Sequence, residues 1–240
     1  LDEWRFDGTD DYLEVADNPS ISALTSFTIV GYIYFNYDPQ TITSSSDLIG
    51  KRDDDNTYNE WVFQLGAAWL YDSASSKWKG IEYEIPYQQY RWHYYVWLWN
   101  GTYTWVFVNE SLIVNGAHEA TISDTIAPIY FGKNIGWGSY LNGSYAYIGI
   151  YNRVIDENER NNVYNNHIIN ATDLVLFLDA TFFNGTHYID LSGYGNHGTP
   201  YNGVERVPAN ETWLWLVKGL RNDGFVHLEW FPRGSIVRFY

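Results

Sequence analysis

Residues 26–35 read SFTIVGYIYF, and their apolar side chains recur at every second position. Successive side chains of an extended chain point to opposite sides of a sheet, so this spacing is typical of a β-strand with one buried face. The residues predicted to share that buried face are Phe27, Ile29, Ile33 and Phe35.

The same alternation continues through residues 93–114, on both sides of the dipeptide Asn100-Gly101. An Asn-Gly pair can adopt the positive φ angles of a tight turn, so this stretch predicts a long antiparallel hairpin. A helix is predicted after Asp156, which can cap the first amides while Glu159 completes a capping box. Short strands, Gly- and Asn-rich turns and one brief helix predict an all-β fold, an antiparallel two-sheet jelly-roll sandwich.

The segment FDGTDDYLEV at 6–15, followed by SFTIVGYIYF, resembles the start of a laminin-G-like domain of the concanavalin A-like lectin/glucanase superfamily. Later segments resemble that family's successive strands and its closing helix, in the same order. These segments are DLIGKR at 47–52, RWHYYVWLWNGTYTWVFVNE at 91–110, APIYFGKN at 127–134 and NGSYAYIGIYNRVIDENE at 142–159. The resemblance covers about residues 4–165 and rests on the series, since each motif alone is weakly specific.

Residues 173–199, DLVLFLDATFFNGTHYIDLSGYGNHGT, resemble the segment that opens this family's domain, yet they follow the helix. The segment can fold back on its own domain as a circular permutation, open a second repeat, or be donated to a neighbouring copy. Burying its alternating apolar side chains contributes about 1.5–3 kcal/mol each in every case, so energy does not choose between these arrangements. The candidate assembly residues are Leu174, Leu176 and Leu178.

Three parts of the chain are therefore expected. Residues 1–170 form the jelly roll, and residues 171–207 complete this or a neighbouring jelly roll. Residues 208–240 form a small β appendage, because apolar runs alternate there with the turn sequences Asn222-Asp223-Gly224 and Pro232-Arg233-Gly234.

Composition limits the classes of partner. The 240 residues are 45% hydrophobic and 19% aromatic, enough for a large core, and their net charge of -15 argues against nucleic acid and anionic membranes. No apolar run approaches the roughly 20 residues that span a bilayer, so no membrane span is expected within the chain. Cysteine is absent, which excludes disulfides and thiolate metal sites.

Six Asn-X-Ser/Thr sequons occur, where about three are expected by chance. The excess favours a secreted or cell-surface glycoprotein, with composition alone as the alternative. The absence of methionine and the start at Leu1 fit a processed product. The candidate glycosylation sites are Asn100, Asn109, Asn142, Asn170, Asn184 and Asn210.

Acidic and amide side chains are concentrated in KRDDDNTYNE at 51–60, and hard oxygen ligands in a flexible loop suit Ca²⁺. The family resemblance also implies calcium in rim loops, without fixing the ligands. The alternative is a solvated polar turn. The predicted calcium ligands are Asp53, Asp55, Asn56 and Glu60.

Carbohydrate binding would use exposed aromatic rings, since the C–H faces of sugars stack on Trp and Tyr. Trp137 stands between two glycines in NIGWGSY at 134–140, with Tyr140 close by, and core packing of these rings is the alternative. The resemblance also admits glycoside hydrolases, but their E-x-D-x-x-E pattern is missing. Glu82 and Glu84 are the nearest approach, and they are expected to be solvated edge carboxylates.

These observations favour an extracellular, non-enzymatic structural or adhesive protein that binds copies of itself, as a filament or layer subunit linked by strand exchange. The 22 Tyr and 12 Trp residues fit such a role, because interfaces are rich in both. The first alternative is a calcium-dependent, lectin-like module that binds surface glycans. The second is a glycoside hydrolase.

Overall fold

A computed structural model of the chain describes residues 2–41, 47–53, 57–134 and 138–208, and the backbone of 213–218 and 225–232. The strands of its first half are β1 (Glu3–Asp7), β2 (Tyr12–Val15), β3 (Phe27–Phe35), β4 (Asp47–Arg52), β5 (Asn59–Gln64), β6 (Ala67–Asp72), β7 (Lys77–Glu82), β8 (Trp92–Trp99), β9 (Tyr103–Val108) and β10 (Ser111–Ala117).

The strands of the second half are β11 (Ile129–Phe131), β12 (Lys133–Asn134), β13 (Ser139–Tyr140), β14 (Asn142–Tyr151), β15 (Ile168–Asn170), β16 (Leu174–Asp179), β17 (Gly198–Tyr201), β18 (Glu205–Val207), β19 (Trp213–Lys218) and β20 (Phe225–Pro232). The helical segments are α1 (Glu157–Asn161), a π-helical turn (Asn162–Asn166) and two 3-10 turns (Pro19–Ile21 and Pro39–Thr41). None of the helices in the described residues is long and apolar enough to cross a membrane.

Two antiparallel sheets form a sandwich. The larger sheet has the order β10-β9-β8-β3-β14-β1-β18, with β16 also paired to β14, and the smaller has the order β17-β2-β11-β4-β5-β6-β7. A further sheet has the order β15-β20-β19, so β20 of the C-terminal appendage pairs with both β15 and β19. The apolar run at 236–240, which is also predicted to form a strand of the appendage, lies outside the described residues. The predicted all-β jelly-roll sandwich with one short helix is confirmed.

The core between the sheets follows the alternation of β3. The four side chains predicted to share its buried face are fully buried there, and the neighbouring strand β8 adds Trp97 and Trp99. Both indole nitrogens are satisfied, because Trp97 donates to Thr104 Oγ1 at 2.7 Å and Trp99 donates to the His118 carbonyl at 2.7 Å. The predicted hairpin at Asn100-Gly101 joins β8 to β9, and β10 extends it into a three-stranded meander.

The outer face of the larger sheet is also covered. Val163 and Ile169, from the π-helical turn and β15, belong to a second buried cluster on that face, together with Val30 of β3. The preceding helix starts as predicted. The Asp156 carboxylate accepts the Glu159 amide hydrogen at 2.9 Å, and Glu159 accepts that of Asp156 at 3.1 Å. On the smaller sheet, Tyr12 is half-buried and Tyr201 is exposed at one edge.

The segment after the helix completes both sheets of its own chain. β16 pairs with β14 beside β1, β17 pairs with β2, and β18 pairs with β1. The three predicted assembly residues, Leu174, Leu176 and Leu178, are buried in the chain's own core clusters. This pairing is the arrangement expected of a circular permutation.

The motif DLSGYGNHGT at 190–199 is hydrogen-bonded to β16, the strand that precedes it. The buried Asp190 carboxylate accepts the amide hydrogens of Phe177 and Asn196, each at 2.9 Å, and Asn196 Nδ2 donates to the Val175 carbonyl at 2.7 Å. His197 Nδ1 accepts the Asp190 amide hydrogen at 3.0 Å. The polar residues of the motif therefore satisfy backbone groups, and this accounts for the burial of the Asp190 and Asn196 side chains.

Candidate functional site

The outer face of the smaller sheet carries a cluster of tyrosines at one edge. Because Leu13 and Val15 of β2 point into the core, Tyr12 points outward, where it meets Tyr201 of β17 and Tyr130 of β11. The Tyr12 and Tyr201 rings are stacked, with centroids 4.8 Å apart and planes 11° apart. The Tyr12 and Tyr130 rings meet edge to face at 5.6 Å.

A lysine lies over this cluster. Lys133 Nζ is 4.7 Å from the centroid of the Tyr12 ring and 4.6 Å from that of Tyr130, so the ammonium faces the negative side of two rings. Tyr12, Tyr130, Lys133 and Tyr201 are called the tyrosine patch below. The most exposed ring of the patch is Tyr201, with 37% of its surface accessible.

Tyr140, one of the two predicted carbohydrate-binding residues, adjoins this patch. Lys133 pairs with Tyr140 across the β12–β13 hairpin, and Tyr140 is half-buried there. Trp137, in the loop of the same hairpin, lies outside the described residues. The hairpin is fixed to β4 by Arg52, which donates to Asn134 Oδ1 at 2.9 Å. The tyrosines of the patch come from three separate strands, and no local motif in the sequence groups them.

Three carboxylates lie next to the patch. Asp7, Asp10 and Asp11 offer oxygens that all lie within 4.8 Å of one another, and Asn202, the residue after Tyr201, donates to the Asp10 carbonyl at 3.0 Å. Burial raises the pKa of Asp11, and the charges of Asp7 and Asp10 raise it further. The Asp7 amide donates to Asp11 Oδ2 at 3.0 Å, which is the contact that shapes the DGTDD turn.

Of the four predicted calcium ligands, the structure describes Asp53 and Glu60. Asp53 Oδ1 accepts the amide hydrogens of Thr57 and Tyr58, at 2.8 and 3.1 Å, and Asp55 and Asn56 lie outside the described residues. The Glu60 side chain is fully buried, and both of its oxygens accept hydrogen bonds within the fold.

Both Glu60 oxygens have partners in the core. Oε1 accepts a hydrogen bond from Thr125 Oγ1 at 2.8 Å, and Oε2 accepts one from the Ala23 amide at 3.0 Å. Lys51 Nζ lies 3.4 Å from Oε1. Burial raises the pKa of Glu60, although Lys51 opposes the shift.

Glu82 and Glu84, the residues weighed for hydrolysis, are both exposed at the edge of the smaller sheet. They line an open groove of about 470 Å³ whose other walls include Leu112 and Val114 of β10. Neither carboxylate forms a hydrogen bond or an ion pair with another of the described residues. Exposed charged residues are common at sheet edges, where they discourage pairing with another chain.

Known structures share this architecture. A Bacteroides ovatus protein provisionally described as carbohydrate-binding is 13% identical, with a TM-score of 0.63 over 87% of this chain and 60% of its own length. The CBM40 domain of a Ruminococcus gnavus IT-sialidase, bound to α2,3-sialyllactose, is 14% identical, with a TM-score of 0.53 over 68% of this chain and 98% of its own.

The receptor-binding domain of botulinum neurotoxin mosaic serotype C/D is 16% identical, with a TM-score of 0.52 over 69% of this chain and 42% of its own. At these identities the likeness establishes a common fold. None of the curated proteins matches. The sequence profile of the "Concanavalin A-like lectin/glucanases superfamily" matches residues 7–159, which is more than half of the chain. The chain therefore belongs to the concanavalin A-like lectin/glucanase superfamily.

Proposed function

We propose that the chain is a non-catalytic carbohydrate-binding module of a secreted or cell-surface protein, and that it binds glycans on the tyrosine patch. The observation that carries this proposal is the stacked pair Tyr12–Tyr201, beside the ammonium of Lys133, on the outer face of the smaller sheet. The Bacteroides ovatus and CBM40 structures support it, since both are described as carbohydrate-binding and share the fold.

The chemistry of the patch suits a sugar. A pyranose ring has an apolar face of C–H groups that packs on an aromatic ring, and its hydroxyls need polar partners at the rim. Tyr201 offers an accessible ring for the first contact. The Lys133 ammonium is a cationic donor that suits hydroxyl or carboxylate oxygens, and its position over two rings limits the entropy lost on binding.

The test is binding of the full chain to an array of soluble oligosaccharides, followed by calorimetry with the best ligand. Tyr201→Ala and Lys133→Ala should each weaken binding at least about tenfold, which corresponds to about 1.4 kcal/mol. Tyr90→Ala is the matched control, because Tyr90 is 63% exposed and is not part of the patch. Unchanged affinity in Tyr201→Ala and Lys133→Ala would remove the patch as the site.

Catalysis is tested with the same ligands. Incubation with the chain should leave the oligosaccharides intact, and Glu82→Gln with Glu84→Gln should leave binding unchanged. Release of shorter oligosaccharides by the natural chain, lost in that double variant, would make it a hydrolase instead.

A structural role through self-assembly is the second candidate. It is supported by the way β16, β17 and β18 complete the sheets through strand edges, since the same edges can accept these strands from another copy. Light scattering across a range of protein concentrations tests it. Oligomers that grow with concentration would support exchange, and a monomer at every concentration would reject it.

A further inference from the structure

Two of the sequons fold into the same turn. Asn100 and Asn184 are each followed by a glycine with a positive φ, 96° at Gly101 and 101° at Gly185, and then by an exposed threonine. This turn places the asparagine on the outside of the loop in both cases. Asn210, in the sixth sequon, lies outside the described residues.

The hydrogen bonds of the two turns match. Asn100 Oδ1 accepts from the amide of Thr102 at 3.1 Å, from its hydroxyl at 3.3 Å, and from the amide of Tyr103 at 2.8 Å. Asn184 Oδ1 accepts from the amide and hydroxyl of Thr186, both at 3.0 Å, and from the amide of His187 at 2.8 Å. In each turn the side-chain carbonyl oxygen therefore accepts three hydrogen bonds.

The amide nitrogen of both side chains takes no part in the hydrogen bonds of the turn. Neither Asn100 Nδ2 nor Asn184 Nδ2 makes a hydrogen bond that is recorded for the described residues, and both side chains are exposed. Three donors polarise the carbonyl in each turn, and the threonine hydroxyl is oriented toward the asparagine. The nitrogen that N-glycosylation modifies is therefore accessible without any change in the fold.

The other described sequons are held differently. Asn170 Nδ2 donates to Glu159 Oε1 at 2.7 Å, and its backbone lies in β15. Asn109 Nδ2 is 3.3 Å from His93 Nδ1, while its Oδ1 accepts the Tyr94 amide hydrogen at 3.0 Å. In both sequons the nitrogen that would carry the sugar is held in a contact with another side chain.

Asn142 differs for another reason. Its side chain is exposed, but the hydroxyl-bearing residue of its sequon, Ser144, is only 2% exposed and lies within β14. The extended backbone of β14 pairs with β3 and β1 on its two sides over Gly143 to Tyr145. A transferase cannot reach Ser144 unless the strand leaves the sheet.

We propose that the folded chain accepts N-linked glycans at Asn100 and Asn184, and not at Asn109, Asn142 or Asn170. The donor class is a sugar linked to a lipid through a diphosphate. The asparagine nitrogen forms a bond with C1 of the sugar, and the C1–O bond to the diphosphate breaks. The lipid diphosphate leaves with the electron pair, and the amide passes one proton to the transferase.

The test uses the full chain, purified without glycans and folded, with a single-subunit oligosaccharyltransferase and a lipid-linked oligosaccharide. A proteolytic digest of the same chain serves as the control substrate, in which the five sequons of the described residues must all be accepted. Peptide mass spectrometry should then find the folded chain modified at Asn100 and Asn184 and unmodified at Asn109, Asn142 and Asn170. Comparable modification at Asn109, Asn142 or Asn170, or an unmodified Asn100 or Asn184, would overturn the proposal.

The variant Gly185→Ala tests the effect of the turn while the sequon itself is kept. Gly185→Ala keeps Asn-X-Thr and meets no atom within 4 Å, but its φ of 101° is strained for alanine. Occupancy at Asn184 should fall several-fold, while that at Asn100 stays unchanged. Gly193→Ala is the matched control, with a φ of 92° and the same open surroundings. Equal occupancy in both variants would show that the turn does not select the site.

Discussion

Lys51 and Glu60 face each other inside the sandwich, with Nζ 3.4 Å from Oε1 and neither side chain accessible to solvent. Lys51 also donates to Asp17 Oδ1 at 2.7 Å and to the carbonyl of Ala127. Burial alone would raise the pKa of Asp17, but the hydrogen bonds from Lys51 and Ser22 lower it overall. One buried ammonium therefore compensates two carboxylates at the end of β4.

Replacing this lysine should be costly. Lys51→Met leaves Glu60 buried without its cation, and breaking a buried pair in this way typically costs about 3–5 kcal/mol. Adding Glu60→Gln should recover part of the loss, because the remaining buried group is then neutral. Urea denaturation measures both variants. Arg5→Met is the control, since Arg5 and Glu205 form an exposed pair at 3.9 Å, and an equal loss there would contradict the importance of burial.

Asp179 should make the protein less stable as the pH rises. Burial raises its pKa to about 6, so the folded chain binds a proton more tightly than the unfolded chain does. Stability from this group is present below the unfolded pKa of 3.8 and is lost as the pH rises through about 6.

Asp179→Asn removes the charge and keeps an acceptor for the Thr181 amide hydrogen, which Asp179 Oδ1 accepts at 2.7 Å. At pH 7 the variant should be more stable than the natural chain by about 2–3 kcal/mol. The difference should shrink toward pH 4. Urea denaturation at both pH values measures it, and a difference that does not depend on pH would assign the effect to something other than titration.

Local patterns were sufficient for the parts of the fold that depend on neighbours in sequence. The alternation in β3 and the capping box of Asp156 and Glu159 are such parts, and the structure has both. Local patterns did not predict where residues lie across the sheets. Lys51 and Glu60 stand in a run of charged residues that is typical of a loop, yet β4 and β5 extend into this run from both sides.

Local patterns could not predict the tyrosine patch, for the same reason. Tyr12, Tyr130 and Tyr201 are far apart in sequence, and they meet because β2 lies between β11 and β17. Alternation in YLEV does predict that Tyr12 and Glu14 share a face. It does not tell which strands lie on either side, and a segment displaced to the end of the domain supplies one of them.

Calcium should bind through Asp53, Asp55 and Asn56 if the loop at 53–56 is a metal site, with Glu60 excluded. Millimolar calcium should then raise the melting temperature above that in a chelator, because a ligand that binds the folded state stabilises it. Asp53→Asn with Asp55→Asn should abolish the rise. The same rise in that double variant, or no rise in the natural chain, would remove calcium from this loop.

The motif that opens a domain in this family should hold the chain's later strands in place. Asp190 accepts hydrogen bonds from two amides outside its own turn, those of Phe177 and Asn196, and from the Ser192 amide and hydroxyl. Asp190→Asn keeps one acceptor oxygen and turns an NH₂ group toward the partners of the other. Each lost bond to a charged acceptor contributes about 1.5–3 kcal/mol, so a total loss of about 3–5 kcal/mol is expected.

Hydrogen exchange locates this loss. The Phe177 amide should exchange faster in Asp190→Asn, together with its neighbours in β16, because that strand is held on one side by β14 and on the other by this carboxylate. Asp124→Asn is the control, since Asp124 is exposed in a loop. If β16 stayed as protected as in the natural chain while global stability fell, the motif would act elsewhere than on this strand.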